Sequence, residues 1–127
     1  MTSSTSGSLD IQMDGFSLKS EQAPTAIVAT LKGNADMAVQ EKFKATLENI
    51  ASLAKASRMR EVVFDWNELY FMNSSCLSLL LRFINGVLEL PAASRFKVRF
   101  RSSPNLKWQQ KSLKALRSYA DELVVIE

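Results

Sequence analysis

Asn73, Ser74, Ser75 and Cys76 stand in a row between two apolar segments, and no other stretch of the chain is better equipped for chemistry. Each of the first three carries a short polar side chain that caps the start of a helix well. The helix that follows would turn free backbone N–H groups and its positive dipole end toward them. A hydroxyl at such a place has two uses. It can serve as a plain cap, or it can carry a phosphate, which a helix start accommodates. Cys76 adds a thiol, and helix N-termini lower thiol pKa values. The plainer reading of Cys76 is a small buried hydrophobe, with a redox role as the other.

The chemistry that is missing narrows the choice further. Cys76 is the only cysteine, so the chain cannot form an internal disulfide, and His is absent altogether. Zinc sites of the usual spacing, Ser–His–Asp catalysis, His general-base chemistry and phospho-His relays are thereby excluded. Asp65 and Glu68, near the Ser pair, belong to no constellation of perturbed acids and bases. No catalytic residue, metal ligand or cofactor is therefore expected.

The elements that must position this segment follow from hydrophobic patterning. Residues 10–20 alternate as a strand, with Ile11, Met13, Phe16 and Leu18 inward. A turn over 21–24 leads to a second strand, Thr25 to Leu31, and the two read as a hairpin. Gly33, Asn34 and Asp36 punctuate the chain before an amphipathic helix from Met37 to about Lys55, whose apolar face holds Val39, Phe43, Leu47, Ile50, Ala51 and Ala54. Glu61 to Asp65 is a short strand buried on both faces. After a loop, Ser75 to Leu90 is apolar almost all round, as a buried helix is, and Pro91 ends it. Arg95 to Arg101 alternates strictly, as a strand with one covered and one wet face. Ser103-Pro104 predicts an N-cap and first helical residue, for a helix reaching about Ala120. Leu123 to Ile126 is a last strand. The fold class is thus α/β, a single mixed β-sheet with packed helices in the order β-β-α-β-α-β-α-β.

The 127 residues, 46% hydrophobic and 23% charged, suit one soluble domain, expected over 9–127 behind a disordered tail at 1–8. That tail lacks the basic and apolar parts of a secretory signal, and no apolar run spans a bilayer, so the expected compartment is cytoplasmic. The net charge of +3 is unevenly spread. Residues 91–120 carry eight Lys/Arg and no Asp or Glu, a split that suggests a basic face over 95–117 meeting something acidic. Solvation or edge protection is the bland reading of that face. An acidic protein comes next, and nucleic acid is the weakest because no recognised binding motif accompanies the charge.

The segment also resembles a known family. In STAS domains, found in sulfate transporters and anti-sigma factor antagonists, a strand ending in Asp leads to a loop of the form Phe-Met/Ile-Asp-Ser-Ser-Gly-Leu that opens a helix. Here Asp65 is followed by Phe71-Met72-Asn73-Ser74-Ser75-Cys76-Leu77. The earlier Leu31-Lys32-Gly33-Asn34-Ala35-Asp36 is similar to the family's Leu-x-Gly-x-Leu-Asp, which precedes its first helix. The element order matches too, over roughly Leu9 to Glu127. Two departures stand out: Asn73 replaces the family's Asp, removing a charge, and Cys76 replaces its Gly.

The resemblance implies a non-enzymatic regulatory module that binds a protein partner, a serine kinase or anti-sigma-like regulator. It further implies a reversible phospho-switch at Ser74, with Ser75 as second choice. Asn67, Tyr70, Asn73, Ser74, Ser75, Cys76 and Ser78 are the expected partner-binding residues. Trp66 and Tyr70 are either interface anchors or packed back onto the domain. Trp108 reads as core or rim. The alternative is a phosphorylation-independent STAS subunit of a larger transport or signalling complex, which the two departures favour.

Overall fold

Three antiparallel strands open the chain, because the first alternating segment is broken where Asp14-Gly15 supplies a hairpin turn. The computed structural model describes residues 9–127, so the tail expected at 1–8 lies outside the described residues. Its strands are β1 (Ile11–Met13), β2 (Phe16–Gln22), β3 (Ala26–Ala35), β4 (Glu61–Met72), β5 (Lys97–Arg101) and β6 (Val124–Ile126). Three α-helices follow β3, β4 and β5 in turn: α1 (Gln40–Ala56), α2 (Ser74–Leu88) and α3 (Lys107–Tyr119). The expected single mixed sheet is present. It has six strands, because residues 10–20 form two strands where one was expected.

The sheet order is β1-β2-β3-β4-β5-β6, antiparallel up to β3 and parallel from there on. Three successive crossovers therefore step across the sheet in one direction. Right-handed connections put all their helices on one face. Burial agrees with this. Ile27, Ala29 and Leu31 of β3, Val62, Phe64 and Trp66 of β4, and Val98 and Phe100 of β5 share one core with Phe43 and Ile50 of α1, Leu80 and Ile84 of α2, and Leu113 and Leu116 of α3.

The other face of the sheet carries no helix, and there the strand cations find carboxylates of their own domain. Arg99 Nε donates to Glu61 Oε1 at 2.9 Å, and Arg99 also lies 3.5 Å from Glu127. Arg101 reaches Glu127 at 3.4 Å and Asp65 at 4.0 Å. Arg95 donates to the Leu88 and Leu90 carbonyls at 2.8 and 3.0 Å, closing the end of α2. The basic strand expected to meet an acidic partner is thus largely neutralised from within. Lys107, Lys111, Lys114 and Arg117 on α3 stay exposed.

The larger corrections to the expected boundaries are three. Strand β3 runs to Ala35, past its expected end at Leu31. Helix α3 starts at Lys107, not at Ser103-Pro104, which form a turn closed by Leu106 N donating to Ser103 O at 3.2 Å. Strand β4 does not stop at Asp65. It runs twelve residues, to Met72.

Candidate functional site

The extension of β4 decides how the Ser pair is presented. Strand β5 accompanies β4 only up to Asp65, which faces Arg101, so beyond that point β4 pairs with β3 alone. The register slips twice in that stretch, between Thr30 and Lys32 and between Gly33 and Asn34 of β3, and each slip leaves β4 one residue longer than its partner. Bulges of this kind bend a strand and free backbone groups. Asp65 Oδ1 accepts from the Asn67 backbone N–H and from its side-chain amide, both at 2.9 Å, and so fixes the first bulge. Gln109, fully buried on α3, donates through Nε2 to the carbonyls of Trp66 and Leu69 at 2.7 and 2.8 Å. Its Oε1 accepts from Ser103 N at 2.8 Å. One buried amide thus satisfies the carbonyls that β5 leaves behind.

At the end of β4, Asn73 N donates to Ala35 O at 2.9 Å and ties the strand end to that of β3. Asn73 keeps extended backbone, and its Oδ1 accepts from Cys76 N at 2.9 Å. Asn73 is therefore the N-cap of α2, and Ser74 is its first helical residue. Capping is done by Asn73, which leaves the Ser74 hydroxyl out of that task. Ser74, Ser75 and Ser78 are exposed, and Ser78 lies one turn beyond Ser74 on the same side of the helix.

Large apolar side chains are exposed in the strand end and the turn that adjoin this helix start in the chain or the sheet. Tyr70 is 58% exposed, Phe71 47%, and Met37, at the start of the turn Met37–Val39 that enters α1, is 81% exposed. Phe71 and Met37 escaped the sequence reading. A pair of aromatics in tandem at 70–71, where strict alternation would bury one, was the available signal.

Not every expected contact residue belongs here. Cys76 is fully buried, its Sγ 4.0 Å from Asp36 O, and so is out of reach of another molecule. Burial, aided by the Asp36 charge, pushes its thiol pKa from 9.0 up to about 11, the reverse of an activated thiol. Asn67, six residues before Asn73 along β4, is exposed at the first bulge, where its amide donates to Asp65. Trp66 is fully buried and stacks on Trp108 with ring centroids 5.5 Å apart. It is an anchor of the core and not of an interface, whereas Tyr70 stands in solvent.

Among the described residues no group of three or more His, Cys, Asp or Glu side chains could hold a metal ion, and no helix is long and apolar enough to cross a membrane.

No protein-family model matches the chain, and no curated protein matches it significantly. Solved structures do. An anti-sigma factor antagonist from Mycobacterium paratuberculosis is similar with a TM-score of 0.60 at 17% identity, over 90% of this chain and 88% of that one. The anti-sigma factor antagonist SpoIIAA in its unphosphorylated form gives 0.55 at 15% identity, over 87% and 86%. The Bacillus cell fate determinant SpoIIAA in its phosphorylated form gives 0.57 at 18%, over 87% and 90%. The chain has the fold of these antagonists, the STAS fold expected from its two motifs.

Proposed function

We propose that this protein is a regulatory module without catalysis of its own, acting in the cytoplasm as a single domain that docks onto a protein partner through the start of α2. The observation that carries this reading is the exposed Ser74 at the first helical position, beside the exposed Tyr70, Phe71 and Met37. Apolar side chains of that size left in solvent are the usual anchors of an interface. Asn73, Ser75 and Ser78 complete the contact surface with Ser74. The partner is a serine kinase or a regulator of the anti-sigma type, and Ser74, or failing that Ser75, is the residue it modifies.

Magnitudes place the effect of such a modification at the interface. A phosphate brings about −1.5 to −2 charges at pH 7. Next to a helix start it stabilises that end by only about 0.3–1 kcal/mol. Within a protein interface, desolvation and like-charge repulsion cost several kcal/mol, and every ~1.4 kcal/mol is tenfold in affinity. Phosphorylation therefore switches docking and leaves the fold alone. Partner capture from the native cell, repeated with Ser74→Ala and Ser74→Glu, tests this: Ala retains the partner and Glu loses it. Equal capture by both variants ends the phospho-switch.

A second reading, a phosphorylation-independent subunit of a larger transport or signalling complex, draws on Asn73. Its amide caps α2 as well as Asp would but brings no negative charge beside the serine. Under that reading the captured protein is the same from all three chains, and mass spectrometry finds Ser74 unmodified.

A further inference from the structure

An open groove of about 310 Å³ lies between α1 and α2, lined from residues 44–55 of α1 and from residues 79–90, which take in the end of α2 and the turn after it. Leu47, Ala51, Phe83, Val87 and Phe96 supply an apolar floor. Gly86, on the rim, contributes no side chain, and a Cβ built there would meet nothing within 4 Å. The charged residues of the groove are Lys44, Lys55 and Arg82 against the single carboxylate of Glu48. None of the ion pairs formed among the described residues involves any of these four. Elsewhere the domain neutralises its partly buried cations. Arg95, Arg99 and Arg101 each reach a carboxylate. Over the groove, three exposed cations from two helices stand unpaired above apolar side chains.

We infer that this groove binds a small anionic amphiphile: a carboxylate whose hydrocarbon chain lies on the floor while Lys44, Lys55 and Arg82 hold its head. Volume sets the size. A cavity of about 150 Å³ holds one benzene, so twice that volume takes a chain of about ten to twelve carbons. Pockets for small ligands begin at about 300 Å³. Charge sets the sign, since three cations against one carboxylate attract an anion and resist a cationic head. It also disfavours a second copy of this chain, whose identical rim would bring like charges together. Residues 1–8 contain no Asp or Glu and cannot satisfy the rim. An acidic amphipathic helix from another protein shares the chemistry, and the test separates it.

The probe is sodium decanoate, titrated into the full chain by calorimetry and followed by backbone amide NMR shifts. Decanol and decyltrimethylammonium serve as controls for the chain alone and for the opposite charge. Decanoate is expected to bind in the micromolar range and to shift amides of 44–55 and 79–90, with both controls weaker by about tenfold or more. Arg82→Glu should weaken decanoate by at least about tenfold, because a charge-assisted contact becomes a repulsion. Gly86→Leu fills the groove and should abolish binding at a melting temperature no lower than that of the wild type, since Gly is the weaker helix former. Failure of decanoate to bind, equal binding of decyltrimethylammonium, or shifts confined to other elements overturns the inference. So does loss of a captured protein on Gly86→Leu in a chain that does not bind decanoate, which would assign the groove to a protein helix.

Discussion

Within the four residues that open α2, the duties are divided by chemistry. The Asn73 amide takes the cap and Ser74 is left with a hydroxyl in solvent. Cys76 takes the buried place where the related motif has Gly. Its side chain packs beneath the connection from β3 to α1, so the step from Gly to Cys fills space inside the domain and changes nothing on its surface. Reactivity follows from that position. With a pKa near 11, the thiol should resist iodoacetamide in the native protein at pH 8 and react readily once unfolded, which mass spectrometry of labelled samples reads directly. Stability follows as well. The unfolded thiol releases its proton around 9.0 while the folded one holds it to about 11, so between these values the native state binds more protons. The contribution of this thiol is whole below pH 9 and falls as pH rises toward 11. Urea midpoints measured from pH 8 to 10.5 should drop more steeply for the wild type than for Cys76→Ala. Parallel curves would mean that the folded thiol titrates normally.

Between elements, the tightest constraint lies where the turn at Asp14-Gly15 crosses β3. Gly33 has φ of +96°, and Asn34 N donates to Gly15 O at 2.9 Å. A Cβ on Gly33 would run into the Gly15 carbonyl. Gly33→Ala should therefore cost at least about 2 kcal/mol, from left-handed backbone and overpacking together. A melting temperature within about 2 °C of the wild type would mean that the hairpin moves aside at no cost. The same region shows how far the sequence could be read. Leu31-Lys32-Gly33-Asn34-Ala35-Asp36 was legible as a motif, and Gly33 as punctuation. That β3 continues through it to Ala35 was not, because Gly33 and Asn34 read as turn residues although Leu31 and Ala35 keep the alternation. Residues 66–72 hid for a different reason. Two bulges scramble the alternation of β4, and the polar Asp65-Trp66-Asn67-Glu68 run looks like a loop. Gln109 was a gap in the apolar stripe of Leu106, Leu113, Leu116 and Ala120. A polar residue in such a gap signals a buried hydrogen-bonding task, but its partners on β4 are forty or more positions away. Helix α2, by contrast, was read nearly to its ends, because its apolar content and its cap are local properties.

Over the whole molecule, the sheet has one face under helices and one in water, and its charges are arranged accordingly. On the wet face, Glu61 and Asp65 of β4, Arg99 and Arg101 of β5 and Glu127 after β6 form a connected set across three strands. This arrangement accounts for a basic segment within a chain whose net charge is only +3. The strand cations are matched across the sheet by carboxylates distant in sequence, which no count along the chain can pair. Such a set holds register as well as charge. Arg99 reaches Glu61 only while β4 and β5 keep Val63 beside Arg99, and a slip of one residue would turn every core side chain outward. Its contribution to stability is modest, because Arg99 and Glu61 are about 30% exposed and solvent screens them. A double-mutant cycle of Arg99→Met and Glu61→Gln should give a coupling of about 1 kcal/mol at low salt, falling by about half or more at 1 M salt, where the screening length is ~3 Å. The two single variants should lower the urea midpoint by similar amounts, since each leaves the other partner unmatched on the same strand pair. A coupling near zero at both salt concentrations would reduce the pair to solvated neighbours, and β4–β5 registry would then rest on Val62, Phe64, Val98 and Phe100 alone.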